Sequence, residues 1–274
     1  MSRRRLDLLL VERGLFESRA KAQAAVEAGG VSVAGRPALK ASILVDDGAE
    51  IVASPAHPWV GRGALKLDHA LTLWPIRVEG RVVLDIGAST GGFTEVCLSR
   101  GAARVYAVDV GRGQLHARLA ADPRVVDLQA TDARDLDRAL IPEEVGLVVC
   151  DASFIGLAKI LPGPLALAGQ GSDLIALVKP QFEVGPQNVG RGGLVKQEDD
   201  RRRALADVCA FLEQSGWSVQ ASADSPITGG DGNLEYLVWA TRKVLPGGYA
   251  RHQRRPQWRP PPQPPPYQKL KLGP

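Results

Sequence analysis

The sequence predicts an α/β fold, a doubly wound sheet with a small α+β domain ahead of it. Two observations predict the sheet. From Arg81 onward, short apolar runs alternate with amphipathic stretches, the order that lays helices on both faces of a parallel sheet. Glycines and carboxylates gather where those runs end, at the edge where such sheets bind ligands. A length of 274 residues, 45% of them hydrophobic, leaves room for one main domain and a smaller module.

Composition narrows the functional class. A charged fraction of 23% beside that apolar content excludes wholesale disorder. Cys97, Cys150 and Cys209 are odd in number and far apart, which fits neither a disulfide framework nor a metal knuckle and points to the cytosol. No apolar run reaches membrane-spanning length, and Arg3, Arg4 and Arg5 lead into no signal-peptide core. The net charge of +4 is unevenly spread: the first forty residues hold eight Lys and Arg against four Asp and Glu, and 244–274 hold six against none. Basic ends on a mildly acidic centre suit a polyanionic partner.

The elements follow in order. Leu6, Leu9 and Leu10 recur at helical spacing until Gly14, and Ser18 is placed to cap a second helix over Arg19–Ala28. Val31–Val33 and the stretch from Ile43 to Val52, interrupted at Asp46-Asp47-Gly48, read as strands joined by turns. Residues 55–62, SPAHPWVG, form a stiff connector, with Trp59 and Val60 as an anchor on the next domain or, alternatively, a contact with a ligand at the domain junction. Strands are expected at Val82–Ile86, Val105–Val110, Val125–Gln129, Leu147–Cys150, Leu174–Lys179, Trp217–Ala223 and Leu234–Thr241. Helices are expected at Phe93–Ser99, Gln114–Ala120, Ala158–Leu167 and Glu198–Ser215. The division is therefore 1–54, 55–62, 63–243 and a disordered proline-rich basic tail over 244–274.

The run SRAKAQAAVEAGGVSVAGRPALKAS resembles the alpha-L RNA-binding module of the ribosomal protein S-four type. That resemblance implies a basic face for structured RNA made by Arg19, Lys21, Arg36 and Lys40, to which the terminal Arg3, Arg4 and Arg5 are added.

The string VVLDIGASTGGFTEV sets glycines at the first strand-to-helix turn, but its spacing is not GxGxxG and it carries no cation for a pyrophosphate. It is similar to the glycine loop of S-adenosylmethionine-dependent methyltransferases. The likeness implies a Rossmann-like sheet binding S-adenosyl-L-methionine through Asp85, Gly87, Ala88, Ser89, Gly91, Gly92 and Phe93. Asp109 would meet the ribose hydroxyls, Asp132 the adenine amine, and Asp151 would border the site.

Lys66, Asp151, Lys179 and Glu235 stand at strand ends or on the helix before the sheet, where one cleft could gather them. With GRGALKL, CDASF, LVKPQFE and GNLEYLVW they resemble the Lys-Asp-Lys-Glu tetrad of FtsJ-like ribose 2'-O-methyltransferases. The span from Arg3 to Arg242 resembles the TlyA family, called hemolysins and rRNA 2'-O-methyltransferases. The resemblance implies a cytoplasmic enzyme that methylates a ribose 2'-oxygen of ribosomal RNA, on cytidine, with no metal. The sulfonium activates its own methyl, so the protein must align the reactants and draw off a proton. Lys179 serves either as the proton acceptor or as a donor to the developing alkoxide, oriented by Asp151 and Lys66, with Glu235 balancing charge. Gly61 and His57 depart from the family pattern, which has a serine and an arginine there. The alternatives are a non-catalytic RNA-binding assembly factor and a hemolysin-like activity.

Overall fold

The computed structural model describes residues 3–244; the expected tail, apart from Val244, lies outside the described residues. The N-terminal unit runs β1 (Arg3–Arg5), α1 (Leu6–Glu12), α2 (Arg19–Glu27), β2 (Val31–Val33), β3 (Arg36–Pro37), β4 (Leu44–Asp46) and β5 (Ile51–Ala53). Leu6, Leu9 and Leu10 of α1 and Ala22, Ala25 and Val26 of α2 face one another in its small core, as helical spacing dictates. Ser18 caps α2, its hydroxyl accepting from the Lys21 N–H at 3.3 Å. Strand β1 lacks apolar periodicity and forms by pairing antiparallel with β4.

The larger unit runs α3 (Ala64–Leu73), β6 (Val82–Ile86), α4 (Gly92–Ser99), β7 (Arg104–Asp109), α5 (Ala117–Ala120), β8 (Val125–Gln129), β9 (Val145–Cys150), α6 (Leu157–Ile160), α7 (Pro162–Ala166), β10 (Ala168–Val178), α8 (Pro180–Glu183), α9 (Glu198–Gln214), β11 (Trp217–Asp224) and β12 (Tyr236–Arg242). Its seven strands lie in the order β11-β12-β10-β9-β6-β7-β8. Successive residues such as Leu147 and Val148 point to opposite faces, and both faces are buried. One core packs α3 and α4 on Val83, Leu147, Val149 and Ile175; the other packs α6, α7 and α9 on Leu84, Val148, Cys150 and Leu174.

Three expectations need correction. The sheet is not wholly parallel, because β12 runs antiparallel between β10 and β11. The helix expected over Ala158–Leu167 divides into α6 and α7, since Pro162 has no N–H to continue the first and instead opens the second. Strand β10 starts at Ala168 rather than Leu174. Its buried Asp173 is tolerated there because Arg81, Trp239 and Thr241 all donate to its carboxylate, at 2.6, 2.9 and 3.0 Å. The connector is anchored as its side chains suggest: Val60 is buried and Trp59 packs against the α3–α4 core, while the Val60 N–H donates to Glu95 Oε2 at 2.6 Å.

Candidate active site

The site lies where the strand order reverses. From β6 the chain builds outward to β7 and β8, then returns to the other side of β6 as β9, leaving a crevice between the ends of β6 and β9. Gly87 follows the first and Asp151 the second, and the Asp151 N–H donates to the Ile86 carbonyl at 3.0 Å. The approach is close enough to require glycine: a Cβ on Gly87, at φ +79°, would lie 2.9 Å from Ala152 Cα. Ser89 also takes a left-handed conformation, φ +48°. It is held by its own N–H donating to Asp109 Oδ2 at 2.8 Å, while Asp109 Oδ1 accepts from Gly111 at 2.8 Å.

Two cavities meet at this loop. One, of about 460 Å³, is lined by Gly87, Ser89, Asp109, Asp132, Asp151 and Phe154 among others. The second, of about 400 Å³, lies between the loop and the N-terminal unit, with Ala88, Gly92 and Phe93 on one side and Lys21 and His57 on the other. They share Gly87, Ser89 and Asp151, so they adjoin at the loop, and the first is of the size that takes a nucleoside. Asp132 is on its wall; hydrogen bonds from Arg134 lower its carboxyl to about 2. Gly91 shapes the loop without lining either cavity. Asp85 is not on the wall at all. It is wholly buried in β6, accepts from the Thr94 hydroxyl at 2.7 Å on Oδ2, and has no partner on Oδ1. Burial pushes its carboxyl up to about 7.

The four residues of the tetrad come together. Lys179 Nζ is 2.7 Å from Asp151 Oδ1, and Lys66 Nζ is 2.5 Å from Glu235 Oε2 and 3.9 Å from Asp151 Oδ1. Lys66, Lys179 and Glu235 are 6%, 7% and 4% exposed, so each charge relies on the others. Asp151 is half-buried and opens on both cavities. The reversal of β12 makes this possible. Register pairs Val178 with Tyr236, so Glu235, just before β12, sits beside Lys179, just after β10. A parallel β12 would carry Glu235 to the opposite edge.

Sequence reasoning missed three neighbours. Ser153 accepts from Lys179 Nζ at 2.8 Å, beside the bond from the same nitrogen to the Asp151 carbonyl at 3.0 Å. Phe154 is 91% exposed at φ +67°, its ring 5.3 Å from that of Phe182. Both belong to the CDASF motif, whose aspartate drew the attention. Asn233 is buried; it accepts from the Val195 N–H at 3.0 Å and donates to the Gly193 carbonyl at 2.8 Å, fastening the loop before Glu235 to the loop after α8.

The expected RNA-facing cations divide into two groups. Arg36 and Lys40 are exposed, with no carboxylate partner among the described residues. The others have partners: Arg3 with Asp46, Arg4 with Glu12 and Asp47, Lys21 with Glu17, and Arg5 and Arg19 both with Asp7. Asp7 is wholly buried, and the bonds from Arg5, then Arg19 and Gln23, hold its carboxyl far below the usual range.

Comparison with known proteins agrees with this architecture. Residues 59–242 match the FtsJ-like methyltransferase family and residues 4–51 the S4 domain. The chain is 47% identical to the 16S/23S rRNA (cytidine-2'-O)-methyltransferase TlyA of Mycobacterium tuberculosis, over 87% of this chain and 90% of that one. It is 36% identical to Hemolysin A of Brachyspira hyodysenteriae, over 85% and 98% of the two. A solved structure from Streptococcus thermophilus that carries the name hemolysin superposes with a TM-score of 0.70 at 39% identity, covering 90% of each chain. By its motifs, its strand order and these relatives, the chain belongs to the FtsJ-like methyltransferase family and carries an S4 domain ahead of the catalytic fold.

Proposed function

We propose that the protein transfers a methyl group from S-adenosyl-L-methionine to a ribose 2'-oxygen of ribosomal RNA, on cytidine, with residues 1–54 holding the RNA and 63–243 carrying the chemistry. The observation that carries this reading is the meeting of Lys66, Asp151, Lys179 and Glu235, from four separate stretches of chain, beside a nucleoside-sized groove. The relatives named for rRNA cytidine 2'-O-methylation support the choice of substrate.

The groove suits the cofactor. Gly87 lets the end of β6 pass close against the Ala152 backbone and keeps a side chain out of the crevice, and Asp109 and Asp132 supply acceptors on its wall. When bound, the cofactor supplies an electrophilic methyl on a sulfonium. The remaining work falls to the chain. Phe154 presents an aromatic face to solvent at the groove, a stacking surface for a base turned out of its helix. Lys179 then meets the 2'-oxygen, which takes the place of Ser153 against its nitrogen. As the 2'-oxygen takes up the methyl, its hydroxyl proton passes to the Lys179–Asp151 pair, whose nitrogen and carboxylate oxygen lie 2.7 Å apart. Lys66 and Glu235 fix that pair and keep the tetrad's formal charge at zero.

Lys179→Ala is expected to lower methyl transfer to ribosomal RNA by at least about a hundredfold, while calorimetry still detects binding of S-adenosylhomocysteine. Retained activity would defeat the role given to Lys179. A wild-type protein that binds ribosomal subunits yet transfers no radiolabelled methyl would favour the assembly-factor reading. As for the name hemolysin, among the described residues no helix is long and apolar enough to cross a membrane.

A further inference from the structure

Beyond the connector, a single polar side-chain contact joins the two domains. Glu17, in the turn between α1 and α2, lies 2.5 Å from Lys21 Nζ through Oε2 and 3.4 Å from His116 Nε2 through Oε1. Among the described residues no other side-chain hydrogen bond or ion pair links 3–54 with 63–244. The surrounding interface is open: a cavity of about 470 Å³ separates the domains, walled by Glu17, Lys21, His57, Trp59, His116 and Arg118. Where packing is this sparse, relative motion is the default and individual contacts decide orientation.

His116 is also tied to the cofactor loop. Its N–H donates to the Thr90 carbonyl at 3.2 Å, and its Nδ1 accepts from the Arg118 N–H at 3.3 Å, capping α5. The flanking Leu115 and Leu119 lie over Gly91, where a Cβ would come within 2.7 and 2.4 Å of their methyl carbons. A shift of His116 therefore presses on the glycine loop. On the other side, Lys21 is both the partner of Glu17 and a member of the basic face offered to RNA.

We propose that Glu17 is a positioning residue, an RNA-sensitive latch that holds the first domain against the cofactor loop through His116. In the free protein Glu17 is divided between Lys21 and His116. A phosphate that draws Lys21 away leaves the carboxylate to His116 and repels it in that direction, so RNA binding tightens the latch and sets the bound ribose over the tetrad. By linkage, cofactor seated on the same loop strengthens RNA binding by an equal factor. This inference rests on the RNA-methylation reading above.

The test uses the full chain with Glu17→Gln, His116→Asn, which keeps an N-cap acceptor, the double variant, and the exchanged pair Glu17→His with His116→Glu. Three quantities are measured: affinity for an rRNA fragment, single-turnover methyl transfer, and the spread of distances between one fluorophore in each domain without RNA. Glu17→Gln frees Lys21, so RNA affinity should hold or rise up to about threefold while transfer falls about fivefold, the range of an exposed pair. His116→Asn should give the same fall with the smaller loss of RNA affinity that linkage requires, the double variant should be no slower than either single, and the exchanged pair should recover at least half the rate. Both single variants should broaden the interdomain distances. RNA affinity falling in Glu17→Gln, or as far as the rate in His116→Asn, additive losses, an unchanged rate, or unbroadened distances would each overturn the latch. If the wild type transfers no methyl to RNA, the functional reading fails, and the distance measurement still decides the latch.

Discussion

Asp85 shows how far a residue's address in the sequence falls short of its environment. As the polar residue near a strand end it reads as a cofactor contact, but the strand continues past it to Ile86 and covers it completely. Sequence spacing could not separate the wall of the crevice from the layer behind it, because one residue of register decides which it is. The buried carboxyl, raised to about 7 by loss of water, has a consequence for stability. Between the unfolded value near 4 and the folded value near 7 the native state binds more protons than the unfolded chain, so stability falls as pH rises through that window. Asp85→Asn should therefore match the wild type near pH 4 and exceed it at pH 8 by a few kcal/mol, on the order of the shift, as read by urea unfolding at the two values. A gap that is the same at both pH values would show that Asp85 does not titrate this way. Asp7 is the opposite case: no rule of periodicity marks it, yet it organises Arg5 and Arg19, which makes those two arginines structural before they are anything else.

At the scale of elements, the apolar strands were the most legible part of the chain. Val82–Ile86 and Val125–Gln129 are found at their expected bounds, the first because a buried parallel strand announces itself as a short apolar run between turns, the second, at the sheet edge, through Val125, Val126 and Leu128. The direction of β12 was not legible, since nothing local to Tyr236–Arg242 differs from a parallel strand; its polarity follows from its hydrogen-bonded neighbours. Helix starts were readable where a side chain does the capping. Ser18→Ala should cost the N-terminal unit about 1 kcal/mol, seen as an earlier urea transition by a probe placed in that unit, with no change in the transition of the larger one. Helix α5 was overestimated because its first turn is replaced by the Gly111–Leu115 segment, whose backbone is held by Asp109 and Gln129.

For the whole molecule, the charge partition visible in the sequence points a polyanion to the two ends of the chain, but not to which cations are free to meet it. Among the described residues Arg36 and Lys40 have no carboxylate partner to give up, whereas releasing Arg19 would take one of three donors from the buried Asp7. Arg36→Ala and Lys40→Ala should each reduce the slope of log binding constant against log salt concentration by roughly 0.7–0.9, with the fold intact by circular dichroism. Arg19→Ala should lower stability before it changes that slope. Equal slopes in wild type and both single variants would remove Arg36 and Lys40 from the contact face.

The pairing of Lys66 with Glu235 spans 169 residues, and the second partner arrives with the reversed strand at the close of the catalytic fold. During synthesis, the emerging polypeptide holds its lysines and its glycine cradle long before the acid that balances them has left the exit tunnel. A premature stop upstream of Tyr236 leaves a fragment in which Lys66 has lost its 2.5 Å partner. The buried charges of the centre are therefore balanced only once the last strand of the sheet has paired with β10.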